Sequence, residues 1–141
     1  MAATTANLKH KNCINCGLFL NCKSPFMEGE APENKYKSNC IMFIGEAPGE
    51  DEDDTGKPFV GKSGDILWGA CNAVGLTVNS VHVTNAVRCR PPDNKLRGVT
   101  PVKMCRDFLL EEIKQVKPKF ILCIGGTALQ SLFGRVSKVK T

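Results

Sequence analysis

Eight of the 141 residues are cysteine, and two loops gather glycines, carboxylates, an amide and arginines into short stretches. Spaced thiols either cross-link or ligate. Met1 to Asn12 lacks the apolar core of a secretory signal. The thiols are therefore expected to be reduced, and spaced cysteines in that setting more often bind metal than pair as disulfides. The first loop reads GEAPGEDEDDTGKPFVGKSG, Gly45 to Gly64. Glycine-rich turns after a strand can cradle phosphate through backbone N–H groups, but the Walker and dinucleotide spacings both fail here. Aligned as a calcium loop, Asp51, Asp53 and Gly56 fit, but Lys62 falls where a bidentate glutamate is required, so calcium is excluded. A solvated acidic loop is expected for Glu50–Asp54. The second loop reads TNAVRCRPPDNK, Thr84 to Lys95.

These loops need a scaffold, and the rest of the chain supplies one. At 15.3 kDa, with 42% hydrophobic and 23% charged residues, the chain has the composition of one globular domain. No apolar run approaches the roughly 20 residues that span a bilayer. The net charge of +5 hides a gradient. Residues 1–70 carry 7 Lys/Arg against 10 Asp/Glu, and residues 71–141 carry 12 against 4. A basic half on a small domain is the electrostatic footprint of a polyanion binder.

Residues 1–40 lack sustained periodicity and read as a loop-rich segment that something other than a core must order. Residues 41–141 alternate short apolar runs with helical patterns. Ile41–Ile44, Val81–Thr84 and Phe120–Ile124 read as buried parallel strands bounded by turn residues. Ser63 is expected to cap a helix that runs to about Val74 and stops at Gly75. Thr100-Pro101 should open a second helix, on which Met104, Cys105, Phe108, Leu109, Ile113 and Val116 recur at helical spacing before Pro118. A third is expected from Gly126 to Phe133. The order predicts a right-handed three-layer α/β/α fold with a short parallel sheet. Ligands in such folds sit beyond the C-terminal strand ends, where both loops lie.

Together the loops resemble the iron–sulfur, family-4-type uracil-DNA glycosylases. GEAPGEDED, the following TGKPFVGKSG, the TNAVRCRPP block and the cysteine framework carry the likeness, from Cys13 to about Phe133. The CKSPFM string at Cys22–Met27 is similar to phage polymerase-associated relatives in particular. The resemblance implies a four-stranded parallel sheet between helices and hydrolysis of the N-glycosidic bond of deoxyuridine in DNA. It also implies a [4Fe–4S] cluster on Cys13, Cys16, Cys89 and Cys105, pinning the N-terminal segment and the loop Arg88–Arg97 to the sheet. Four thiolates can hold zinc as well, and spacing alone does not separate the two. Cys40, Cys71 and Cys123 are expected to be small buried hydrophobes. Cys22, six residues after Cys16, is a candidate to replace one of that pair.

Carried over residue by residue, Asn85 matches the amide that reads uracil, and Phe59 the aromatic that stacks on the flipped base. Glu46 matches the carboxylate that orients water or offsets charge in the transition state. Gly45 and Ala47 are expected to bind substrate, backbone groups around Ala47 and Pro48 contacting the base or its sugar, and Ala47 stands where better-known uracil glycosylases carry aspartate. Lys62, Ser63, Arg88 and Arg90 are the expected DNA contacts. The likeness stops short of a His-Pro-Ser-type motif: nothing after Phe133 matches it, and His10 and His82 stand elsewhere. The expectation is therefore a domain one strand and one motif short, either a fragment or a member that binds more than it cuts. The alternatives are a non-catalytic iron–sulfur module that holds DNA or docks on a replication protein, and a zinc-stabilised structural domain. A cytoplasmic, membrane-free monomer, bacterial or phage-encoded, completes the expectation.

Overall fold

In the computed structural model, residues 13, 16–30, 41–77 and 80–134 are described. Three parallel strands form the sheet: β1 (Ile41–Gly45), β2 (Val81–Asn85) and β3 (Phe120–Cys123), in the order β2-β1-β3. Ile41 stands opposite both Val81 and Phe120, so the three strands end at one level. The helices are α1 (Glu50–Thr55), α2 (Lys62–Ala73), α3 (Thr100–Val116) and α4 (Gly126–Phe133). The α/β expectation and all three strands are observed. No helix among the described residues is long and apolar enough to cross a membrane.

The sheet's two faces follow from strand alternation. Met42 and Ile44 pack against Leu109 and Ala128 on the α3–α4 side, while Phe43, Val81 and Val83 pack against Leu67, Trp68 and Cys71 on the α2 side. Met42, Ile44 and Leu109 are fully buried, each contributing on the order of 1.5–3 kcal/mol. The α2 layer does not reach across β3, whose Phe120 and Leu122 are exposed while Ile121 and Cys123 join the α3–α4 core. Cys71 is buried as expected, Cys123 only half-buried, and Cys40 lies outside the described residues.

Several local expectations are corrected. The acidic run is not a solvated loop but the helix α1. Four of its five acidic residues occupy the first turn, where the helix dipole favours negative charge, and Asp53 is buried. Ser63 does not cap α2, because Gly61 is the N-cap and Lys62 already the first helical residue. Thr100 is likewise inside α3, with Val99 at the N-cap. Pro101 is tolerated at the second position because the first four helical N–H groups have no intrahelical partner to lose. At the other end, Lys117 turns left-handed and its N–H closes on Ile113 O, with Pro118 next.

Part of the segment before β1 is held by hydrogen bonds as well as by packing, Met27 being buried and Leu18 lying against Val87, Val102 and Cys105. Glu30 forms an antiparallel bridge with Val83, covering the free edge of β2, and Met27 N–H donates to Arg88 O at 2.8 Å. Asp53 accepts from the N–H groups of Lys23 (3.1 Å) and Ser24 (2.9 Å), while Ser24 Oγ donates to Asp53 O (2.7 Å).

Candidate active site

The first and second loops face one another across the C-terminal ends of β1 and β2. Ala86 N–H donates to Gly45 O (2.8 Å) and Val87 N–H to Glu46 O (2.9 Å), extending the parallel ladder past both strands. Ile124 N–H donates to Ile44 O (2.8 Å) from the β3 side. Above these locked ends opens a cleft of ≈ 580 Å³, walled by Glu46, Phe59, Lys62, Ser63, Asn85 and Asn94 among others.

Asn85 reaches the cleft because of strand parity. It shares the α2 face of β2 with Val81 and Val83, while His82 and Thr84 point to α3. A shift of one residue would exchange the two sets. Gly45 is the floor between the two loops. A Cβ there would lie 2.5 Å from Asn85 Oδ1 and 2.6 Å from Phe59 Cζ. The amide and the aromatic ring therefore close on one spot, and only glycine leaves room for both. Glu46 stands exposed at the mouth, where Thr127 Oγ1, from the first turn of α4, donates to its Oε2 at 2.7 Å. Ala47 and Ser63 line the same cleft, and Lys62 and Ser63 are exposed at its rim. Arg90 is half-buried, and its Nε donates to Asn94 Oδ1 at 2.7 Å.

Phe59 adopts a left-handed backbone, φ 55°, which costs a bulky residue about 1–3 kcal/mol. Glu52 carries the compensation. Its carboxylate accepts from Gly49 N–H (3.1 Å), Val60 N–H (3.1 Å) and Gly61 N–H (2.7 Å), joining the start of the loop to its end. Sequence reasoning singled out neither Glu52 nor Thr127 nor Asn94. The glutamate was hidden in an acidic run, and Thr127 lies 81 residues from the carboxylate it meets.

Arg88 is the clear correction. It is 4% exposed and paired with Glu112, so it is not a surface contact for DNA. Glu112, on α3, also meets His82 Nε2 at 2.5 Å and accepts from Thr84 Oγ1 at 2.9 Å. Burial opposes ionisation of Glu112, but the Arg88 guanidinium and the His82 hydrogen bond outweigh it and hold the carboxyl at about 2. His82 is a buried strand residue, as its place in the pattern suggested, and among the described residues no histidine walls the cleft.

Several thiols gather beside the second loop. Cys89 and Cys105 are buried, and burial pushes them up to about 12 and about 11. Cys89 accepts from Phe26 N–H at 3.4 Å, and its thiol also feels Cys22, Cys105 and Cys16. Cys105 feels Cys16 and Cys13. Cys22 Sγ donates to Leu18 O (3.1 Å) and lies 3.4 Å from Arg90 O. Among the described residues, no group of three or more possible ligands stands in metal-binding geometry.

The sequence that builds this cleft, with an amide, an aromatic ring and a carboxylate on its walls, has relatives among known proteins. The chain belongs to the Uracil DNA glycosylase superfamily, whose profile matches residues 32–140. Among curated proteins it is similar to the type-4 uracil-DNA glycosylase of Archaeoglobus fulgidus, 36% identical over 122 residues, covering 86% of this chain and 59% of the relative. The type-4 enzyme of Thermotoga maritima is 38% identical over 119 residues, 84% of this chain and 59% of the relative. That of Pyrobaculum aerophilum is 35% identical over 128 residues, 89% and 63% respectively. The chain thus spans about six-tenths of the length of these relatives.

Proposed function

We propose that this chain is a uracil-DNA glycosylase domain that hydrolyses the N-glycosidic bond of deoxyuridine in DNA, the first step of base excision repair. The observation that carries the reading is the convergence of Asn85 and Phe59 over Gly45. An amide offers one acceptor and one donor, matching the N3–H and O4 edge of uracil, whereas cytosine presents the opposite pattern. Phe59 gives the extruded base a face to stack on, worth about 1–3 kcal/mol. Glu46 lies at the mouth, where a carboxylate offsets the positive charge that develops on the sugar as the C1′–N1 bond breaks, or orients the attacking water. Lys62 and Ser63 at the rim and Arg90 beside Asn94 are the groups available to DNA phosphates.

Cys13, Cys16, Cys89 and Cys105 would hold a [4Fe–4S] cluster, with zinc the alternative occupant. The donor chemistry suits such a group: burial keeps the Cys89 and Cys105 thiols protonated on their own, so a cationic centre is what would favour their thiolates, and Cys13 and Cys16 stand half-buried. Such a group would supply structural cross-linking of the N-terminal segment to the second loop, and none of the four thiols is among the residues that wall the cleft. A visible absorbance band, lost on chelation or reduction, separates cluster from zinc.

A non-catalytic DNA-binding reading is favoured by one observation, the lack of a histidine among the described residues of the cleft walls. A leaving-group donor is worth about 10²–10³ in rate. Single-turnover uracil release from single- and double-stranded oligonucleotides decides between the two. Release by the wild type that falls at least ~10²-fold in Asn85→Ala supports the enzyme. Equal release by both, or none by either, refutes it.

A further inference from the structure

Phe59 sits in a backbone conformation that a phenylalanine does not choose. Its φ of 55° belongs to the left-handed region, and nothing within the residue favours it. Three separate features hold it there. Glu52, on α1, takes the N–H groups of the next two residues, Val60 and Gly61, at 3.1 and 2.7 Å. Trp68, on α2, donates its indole Nε1–H to the Phe59 carbonyl at 3.1 Å. Gly64 lies one turn before Trp68 on the same face of α2, and a Cβ there would collide with that same carbonyl. The residue is thus gripped through its own carbonyl and through the two amides that follow it, while its ring projects to within 2.6 Å of where a Gly45 Cβ would stand.

We propose that Glu52, Trp68 and Gly64 form a clamp that fixes the Phe59 backbone so that its ring is pre-set for an extruded base, with Glu52 and Trp68 as positioning residues. The inference rests on the reading of Phe59 as the base-stacking residue and adds what holds it. A strained residue persists only where its surroundings over-determine it, and here side chains from two helices do so. Preorganisation of this kind removes an ordering cost from base capture. The clamp therefore acts on binding of the base.

The test compares affinity for two oligonucleotides of the same sequence. One carries 2′-fluoro-2′-deoxyuridine, which resists excision because the 2′-fluorine disfavours positive charge on the sugar. The other carries a tetrahydrofuran abasic site. The ratio of the two dissociation constants isolates the base. Phe59→Leu keeps apolar bulk, lacks the π-face, and should lower the ratio by roughly 5- to 150-fold. Trp68→Phe and Glu52→Gln should each lower it by about 2- to 10-fold, the abasic arm cancelling any change in contacts to the DNA backbone. In the Phe59→Leu background neither should lower it further. The clamp is overturned if both variants keep the wild-type ratio, or if they lower it equally with and without Phe59. Should one variant fail to fold by circular dichroism, the other decides. A wild type that does not prefer the uracil analogue over the abasic site refutes the stacking role itself, and the clamp with it.

Discussion

Replacing Glu112 by glutamine should make the protein markedly less stable at neutral pH and much less sensitive to acid. The carboxylate sits between Arg88, His82 and Thr84 with its side chain 14% exposed, too little to be screened as a surface pair is. Its folded-state value is held at about 2, against 4.5 ordinarily, by Arg88 and His82 in spite of burial. The depression means that the folded state prefers the ionised form. The stabilisation is therefore present above the ordinary value and is lost as pH falls through that value towards 2. The displacement corresponds to about 3 kcal/mol at pH 7, shrinking to roughly half or less by pH 3. Glutamine keeps the shape but leaves Arg88 buried without a counter-charge, and breaking a buried pair costs about 3–5 kcal/mol. Urea unfolding followed by Trp68, the single tryptophan, measures the difference directly. With a slope of about 1–3 kcal/mol per M, the midpoint should fall by on the order of 1–3 M at pH 7. Other carboxylates titrate in both proteins, so the informative quantity is wild type minus variant. A difference as large at pH 3 as at pH 7 would refute the reasoning.

The same pairing predicts that Arg88→Ala acts through stability. Lys62→Ala and Arg90→Ala should leave the melting temperature nearly unchanged and each reduce the salt slope of DNA binding by about 1, measured by fluorescence anisotropy across salt concentrations. Gly45→Ala should abolish uracil release while circular dichroism stays native-like, because the new methyl displaces both Asn85 and Phe59; retained activity would show that they do not share one spot. Asp53→Ala removes the acceptor for two backbone N–H groups and should cost about 1–3 kcal/mol locally. Limited proteolysis should then cut between Leu18 and Met27 well before the remainder of the chain.

Much of this molecule is written locally. Short β-branched runs ending in glycine or asparagine specify buried parallel strands, and the stripe through Cys105, Leu109, Ile113 and Val116 specifies α3, because period 2 and period 3.6 each put apolar residues on one side. The loop motifs marked Glu46, Phe59 and Asn85 before any geometry was known, and the parity of β2 turns Asn85 towards the cleft. Three-dimensional packing alone decided the rest. Arg88 and Arg90 look alike in sequence, yet one is sealed against Glu112 and the other reaches Asn94, since only the approach of α3 to β2 supplies a buried carboxylate. The run Glu50–Asp54 looks uniformly solvated, yet Asp53 anchors the thiol-bearing segment and Glu52 grips the stacking loop. Partners such as Thr127 for Glu46, 81 residues apart, depend on which strand ends the sheet brings level. Charge and hydrogen-bonding capacity are properties of residues, but whether water, an ion pair or a backbone amide satisfies them is a property of the fold.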